Sequence, residues 1–315
     1  MRTRIPRNFF FYWSGQDFLF SYLMAVRSLL KTNPAARCEV YFREEPVHNP
    51  HWEVLKDLAG LRVVKADFPA LFRRAGVDFE DAESCLNGNI QENQRSDIFR
   101  YLVLACYGGV YVDFDAVILK DFGPLLETDF FIGYQQYSGK VILNGGIIGS
   151  VADSPALRLC LLELKARLKK PETLSWIGLG PELLSRVLIL RRIGVGLVLK
   201  ILDAAAKRAW PPGISKCLIQ WLKKPGLTYE LYPAHYFYPF PWNRWEEIFK
   251  AQPLETEAYV LHYWGSRSHD IIRNIDERYI RESPCLFAFL LRKVLGEDFF
   301  SEDGVRPEMK VQINA

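Results

Sequence analysis

The sequence predicts an α/β fold, with a mostly parallel central sheet flanked by helices and a helical insertion in the C-terminal half. Three observations carry that reading. Apolar runs of strand length alternate with helix-length segments through the first 65 residues, the order that builds a parallel sheet. Residues 95–119 read as a helix, a glycine stop at Gly108-Gly109, and then a buried strand. Helical patterns dominate from residue 154 to about residue 224.

Taken in order, residues 8–13 form an apolar run that ends at Ser14-Gly15 and give the first strand. Asp17 is placed to cap a helix that runs to residue 30 and stops at Asn33-Pro34. Residues 38–42 give a second strand, 52–58 a short helix and 61–65 a third strand. In the helix before Gly108, Ile98, Tyr101, Leu102 and Ala105 recur at helical spacing. Further strands are expected at 130–134, 141–148, 228–232 and 258–262, and one C-terminal helix over 275–295. The tail from residue 301 is polar and reads as frayed.

At 315 residues and 49% hydrophobic content the chain can bury the core of one enzyme-sized domain. The net charge of +3 points to no particular class of partner. Cysteines at 38, 85, 106, 160, 217 and 285 are far apart and form no Cys-x-x-Cys pair, which favours a reduced compartment over a disulfide framework or a zinc site. No segment reaches the roughly 18 consecutive apolar residues of a membrane span. The basic start is interrupted at Ser14-Gly15-Gln16-Asp17 before a signal-peptide core can form, so the expected location is cytoplasmic. Residues 156–224 carry 14 Lys and Arg against four acidic residues. That pattern fits either a solvated helical face or a peripheral element on an anionic inner-membrane surface. No nucleic-acid recognition module accompanies it, and no nucleic-acid partner is expected.

The chemistry concentrates at Asp113 and Asp115. Strand side chains alternate faces, so these two carboxylates are expected to point together while Phe114 turns into the core. Two oxygen ligands leave most of an octahedral shell open, as in Mg²⁺ or Mn²⁺ sites completed by phosphate oxygens and water. The expected ligand is then a nucleoside diphosphate beyond the carboxyl end of a strand. An Asp-x-Asp pair also arises in turns and solvated edges. Asp97 and Arg100 lie one helical turn apart and share a face, either as part of this site or as a surface ion pair.

Ser96-Asp97 with Arg100, followed by Gly108-Gly109-Val110-Tyr111-Val112-Asp113-Phe114-Asp115, resembles the signature of glycosyltransferases whose sugar-binding region contains a DXD motif. That family includes yeast α-1,6-mannosyltransferases, the glucosyltransferase domains of large clostridial toxins, and vertebrate α-1,4-galactosyl- and α-1,4-N-acetylglucosaminyltransferases. Residues 144–150 with Ser154-Pro155 resemble the family's Asn-Gly segment. Residues 180–187, 237–242 with Trp245, and 259–264 resemble the C-terminal half of the α-1,4-transferases. The likeness runs in order from about residue 5 to 270.

The resemblance implies a GT-A type nucleotide-sugar-binding fold in one domain over residues 1–300. Within it, residues 1–150 would serve the nucleotide sugar and metal, and 151–300 the acceptor. It implies a retaining transfer of a hexose or N-acetylhexosamine from a UDP-sugar to a saccharide or glycolipid acceptor, with Mn²⁺ or Mg²⁺ as cofactor, in a bacterial enzyme. Asp113, Asp115 and His262 would hold the metal, and Asp97 and Arg100 the donor sugar, with Arg100 also facing phosphate. Trp13 stands where toxin-type members stack an aromatic ring on uracil, and core packing is its alternative. Tyr111 would touch donor phosphate or sugar. Asn144 would aim an amide at the reacting centre, unless it is a bulge or turn residue. Trp264 matches the aromatic of a His-x-Trp segment that relatives often follow with Asn, whereas this chain has Gly265-Ser266 and offers Ser266 or Arg267 as a substitute. Two other classes fit the same aspartates: a metal-dependent phosphodiester or nucleotidyl enzyme, and a catalytically silent nucleotide-sugar binder.

Overall fold

The computed structural model describes residues 4–77, 86, 88, 90–137, 140–169, 174–192, 229–251 and 257–300. Two compact units interleave along the chain. The first comprises Met1–Pro6, Asp67–Val110 and Leu125–Leu231, and the second Arg7–Ala66, Tyr111–Pro124 and Tyr232–Ala315.

In the second unit β1 (Asn8–Trp13) pairs in parallel with β2 (Arg37–Phe42), and β2 in parallel with β3 (Leu61–Lys65). Phe9, Phe10, Phe11 and Tyr12 of β1 are all buried, the pattern of a central strand covered on both faces. The strand order β3-β2-β1 continues to β4 (Gly109–Val112), whose last two residues belong to this unit. Helix α1 (Phe20–Thr32) packs on β5 (Ala116–Ile118), and α2 (Pro50–Lys56) packs on α1 and β3. Buried polar side chains of α1 and its cap fix the segment around β5: Ile118 N–H donates to Ser28 Oγ at 2.9 Å and Phe122 N–H to Asn33 Oδ1 at 2.9 Å. A two-stranded antiparallel ribbon joins β5 to β9 (Val260–His262).

Two expectations in this unit are corrected. The first helix starts at Phe20 with Leu19 at its N-cap, and Asp17 caps nothing. The reason is Phe18, drawn into an aromatic cluster with Trp13, Trp52 and Phe114 at centroid distances of 5.1–5.6 Å, so that Leu19, at ψ 157°, begins the helix one residue later. The expected C-terminal helix is broken. After α7 (Gly265–Ile272), α8 (Glu277–Glu282) ends at Ser283 and α9 (Leu286–Leu295) restarts. Pro284 disfavours helical backbone at the residue before it, and Ser283 sits at ψ 132°. Cys285 Sγ then accepts the Ala288 N–H as the new cap.

In the first unit α3 (Phe68–Arg74) packs on α4 (Glu92–Tyr107), and α4 on α5 (Pro155–Leu168). The Gln94 side chain accepts the Gln91 N–H at 3.0 Å, closing the start of α4. Gly108 stops α4 at φ +63°, and a Cβ there would lie 2.6 Å from the Ala152 backbone nitrogen, so the glycine stop is obligatory. Strand order runs β4, β7 (Lys140–Ser150), β6 (Phe130–Tyr137), β8 (Tyr229–Tyr232). β6 and β7 are antiparallel, and their register jumps from Ile132↔Ile148 to Gly133↔Asn144. Helix α6 (Pro181–Arg192) covers β7 and packs on α5. The parallel pairs at β1 to β3 and the antiparallel hairpin β6–β7 make the α/β sheet mixed. Most of the basic stretch 156–224 and the tail from 301 lie outside the described residues.

Candidate active site

Asp113 and Asp115 lie in the connection that follows β4, just before β5. Between them Phe114 turns inward, 5% exposed, and packs on Phe11 at 4.9 Å. The antiparallel register pairs Ala116 with His262, which brings the histidine beside Asp115. His262 Nε2 is 3.1 Å from Asp115 Oδ1 and 3.9 Å from Asp113 Oδ2. Tyr111 O–H donates to Asp113 Oδ1 at 2.7 Å, and Gly265 N–H donates to Asp115 Oδ2 at 2.6 Å. Two more bonds brace the segment, Tyr263 N–H to the Asp115 carbonyl at 2.9 Å and Tyr263 O–H to the Phe114 carbonyl at 3.0 Å.

One oxygen of each aspartate and one nitrogen of His262 lie within 4.8 Å of one another. In an octahedral shell with bonds of about 2.1 Å, neighbouring ligand atoms are about 3.0 Å apart and opposite ones about 4.2 Å. The three groups therefore fit Mg²⁺ or Mn²⁺ without rebuilding the backbone, and their hard oxygens suit either ion. Burial opposes charge on His262, yet the Asp115 and Asp113 carboxylates outweigh it and push its pKa up to about 9. The Trp264 N–H lies 3.3 Å from Nδ1 and favours the neutral ring. Two carboxylates within 3.9 Å favour the protonated ring over that one long neutral hydrogen bond. Asp115 is shifted down: burial raises it, and His262 with the Gly265 N–H lowers it further.

Aromatic rings wall this cluster. Tyr238 lies 5.3 Å and Trp264 4.7 Å from the His262 ring, and Trp264 Nε1 donates to the Phe240 carbonyl at 2.8 Å. Trp264 adopts φ +57°, which turns the chain from β9 into α7 and points the Gly265 N–H at Asp115. Trp13 is half-buried. Its indole N–H donates to the Gly15 carbonyl at 2.9 Å and its ring rests on Tyr22 at 4.8 Å.

The first unit holds the other predicted residues. Asp97 Oδ1 and Arg100 Nη2 form a buried pair at 3.2 Å, and Arg100 also donates to Ser96 Oγ at 3.1 Å. Two glycines press on this pair. A Cβ at Gly145 would lie 2.4 Å from Arg100 Nη1, and one at Gly180 2.7 Å from Asp97 Oδ1. Asn144 occupies the β7 irregularity, where its Oδ1 accepts the Gly146 N–H at 2.9 Å.

Two family comparisons bear on these residues. Residues 22–132 match the family described as glycosyltransferase sugar-binding region containing DXD motif, and residues 218–291 match the alpha 1,4-glycosyltransferase conserved region. The first match includes the Asp113-Phe114-Asp115 segment, so this part of the chain is similar to the DXD-containing glycosyltransferases.

Among relatives of the chain is lactosylceramide 4-alpha-galactosyltransferase of Mus musculus, 28% identical over 185 residues, 55% of this chain and 41% of that protein. Another is alpha-1,4-N-acetylglucosaminyltransferase of Homo sapiens, 25% identical over 63% of this chain and 48% of that protein. The chain thus matches less than half the length of either. Solved structures with a similar course include the PaToxG glycosyltransferase (17% identity, TM-score 0.48, 69% of this chain and 85% of that one). The galactosyltransferase LgtC with donor and acceptor sugar analogs is another (12% identity, TM-score 0.44, 92% and 95%).

The glycine at position 265 has a visible cause. A Cβ there would lie 3.0 Å from Asp115 Cβ and 3.2 Å from Oδ2, so a side chain would push the metal candidate aside. Ser266 and Arg267 follow as exposed residues of the first turn of α7, with the Arg267 guanidinium 4.7 Å over the Trp242 ring. Sequence reasoning missed Gly265 and Tyr238 as parts of the site, because neither a close backbone approach nor a ring beside His262 has a local signal.

Proposed function

We propose that the chain is a divalent-cation-dependent retaining glycosyltransferase. It moves a hexose or N-acetylhexosamine from a UDP-sugar to a saccharide or glycolipid acceptor, in bacterial surface polysaccharide or glycolipid synthesis. One catalytic domain over residues 1–300 would carry the reaction. The observation that carries this reading is the convergence of Asp113, Asp115 and His262 within 4.8 Å, in a chain whose DXD region matches the glycosyltransferase family. The relatives, a lactosylceramide 4-alpha-galactosyltransferase and an alpha-1,4-N-acetylglucosaminyltransferase, support a hexosyl donor.

Asp113, Asp115 and His262 would hold Mn²⁺ or Mg²⁺, which when bound would neutralise charge on the departing diphosphate. Tyr111 fixes Asp113 and the Gly265 N–H fixes Asp115, so both carboxylates are set before the cation arrives. Asp97 and Arg100 would bind donor-sugar hydroxyls, Trp13 would stack on the base, and Trp264 would shield the diphosphate from water. Asn144 would act from the β7 bulge. Free thiols at Cys38, Cys106, Cys160 and Cys285 support a reducing, cytoplasmic setting. Among the described residues no helix is long and apolar enough to cross a membrane.

The test is a panel of nucleotide sugars incubated with the protein and Mn²⁺, scored for release of nucleoside diphosphate. Release from one UDP-sugar that stops on chelation supports the reading. Nucleotide bound but never released indicates a silent binder, and cleavage of simple phosphodiesters instead would replace the transferase reading.

A further inference from the structure

Among the described residues of the first unit, Trp176 is a large aromatic ring open to solvent. Trp176 is 59% exposed, whereas the ring of Tyr107, another exposed aromatic of this unit, is covered by the Arg74 guanidinium at 4.6 Å. An exposed indole offers an apolar face that a ligand can cover favourably.

The turn that presents Trp176 is clamped rather than loose. Asn93 Nδ2 donates to the Trp176 carbonyl at 2.8 Å, and Gln94 Nε2 to the Ser175 carbonyl at 3.1 Å, both from the first turn of α4. From α5, Arg167 Nη1 donates to the Gly178 carbonyl at 2.6 Å. Tyr101 O–H, again from α4, donates to the Leu179 carbonyl at 2.7 Å. The turn then ends at Gly180, whose missing side chain leaves room for the Asp97 carboxylate. A clamped turn therefore presents an exposed indole four residues from the contact with the buried Asp97–Arg100 pair.

From this placement we propose that Trp176 is a stacking platform for the pyranose ring of the acceptor saccharide, which rests on the glycosyltransferase reading. A pyranose is amphipathic. One face presents C–H groups made slightly positive by neighbouring oxygens, and the indole face is electron-rich. An acceptor must come to the donor sugar, and the turn packs through Gly180 on the Asp97–Arg100 pair, the residues proposed to hold that sugar. Four side-chain clamps hold the turn in advance, so the ring costs little ordering when a sugar covers it.

The test begins with wild-type protein, Mn²⁺ and UDP on a printed array of mono- to tetrasaccharides. The glycan retained best then serves as acceptor, with UDP-galactose and UDP-N-acetylglucosamine as donors. Trp176→Ala is expected to lower retention and raise acceptor KM by about tenfold, with donor KM within about twofold, and Trp176→Phe to recover most of the loss. A wild-type protein that retains no glycan overturns the platform, as does an acceptor KM that Trp176→Ala leaves unchanged. Failure of the underlying reading looks different: the wild type then releases UDP from neither donor, whatever the array retains.

Discussion

Asp115 is held at both oxygens, by His262 on one and the Gly265 N–H on the other, and that double restraint makes it the residue most sensitive to change. Asp115→Ala should lower Mn²⁺-dependent turnover roughly a hundredfold or more while circular dichroism stays native. The pH dependence follows from His262, raised to about 9 without metal. Its proton competes with the cation, so Mn²⁺ affinity should rise about tenfold per pH unit from 7 to about 9 and then level off. Calorimetric titration across that range checks this, and His262→Gln should flatten the slope. The stability term has the opposite sign. A folded pKa raised above the ordinary 6.5 stabilises the metal-free fold fully below that value and is lost as pH rises through about 9. Gly265→Ala should weaken Mn²⁺ binding with little loss of stability, because its Cβ meets Asp115 at 3.0 Å rather than the core.

At the scale of elements, glycines set where helices stop and how closely chain segments approach the buried pair. Gly108→Ala places a Cβ at φ +63° and 2.6 Å from a backbone nitrogen, and should cost about 1–3 kcal/mol, read as a lower thermal midpoint. Gly180→Ala meets a side-chain carboxylate instead, so its effect should fall on donor KM more than on melting. The register of β5 against β9 shows why an element can matter more than a motif. Ala116 pairs with His262, and a one-residue slip would turn the histidine to the opposite face of the ribbon.

For the whole molecule, interleaving has a testable consequence. Each unit draws on three stretches of chain, and a cut at residue 150 divides both: it removes 151–231 from the first and 232–315 from the second. A fragment of residues 1–150 should therefore show no cooperative unfolding, whereas the full chain should melt cooperatively. Fluorescence or calorimetric melts of the two proteins would decide it.

The sequence by itself determined the α/β class, the first three strands and the likeness to DXD glycosyltransferases, because all-apolar strand runs, the Gly108 stop and the Asp113-Phe114-Asp115 spacing are written in neighbouring residues. It also showed that Asp97 and Arg100 share a helical face, since one helical turn is local geometry. Tertiary structure decided that this pair is buried rather than solvated, that Asn144 sits in a bulge, and that Phe18 delays the first helix by joining rings distant in sequence. It also brought His262 to Asp115 across 147 positions of chain and made Gly265 and Gly180 necessary. Those facts depend on which atoms approach from elsewhere in the fold, and a linear pattern carries no record of what will lie beside it.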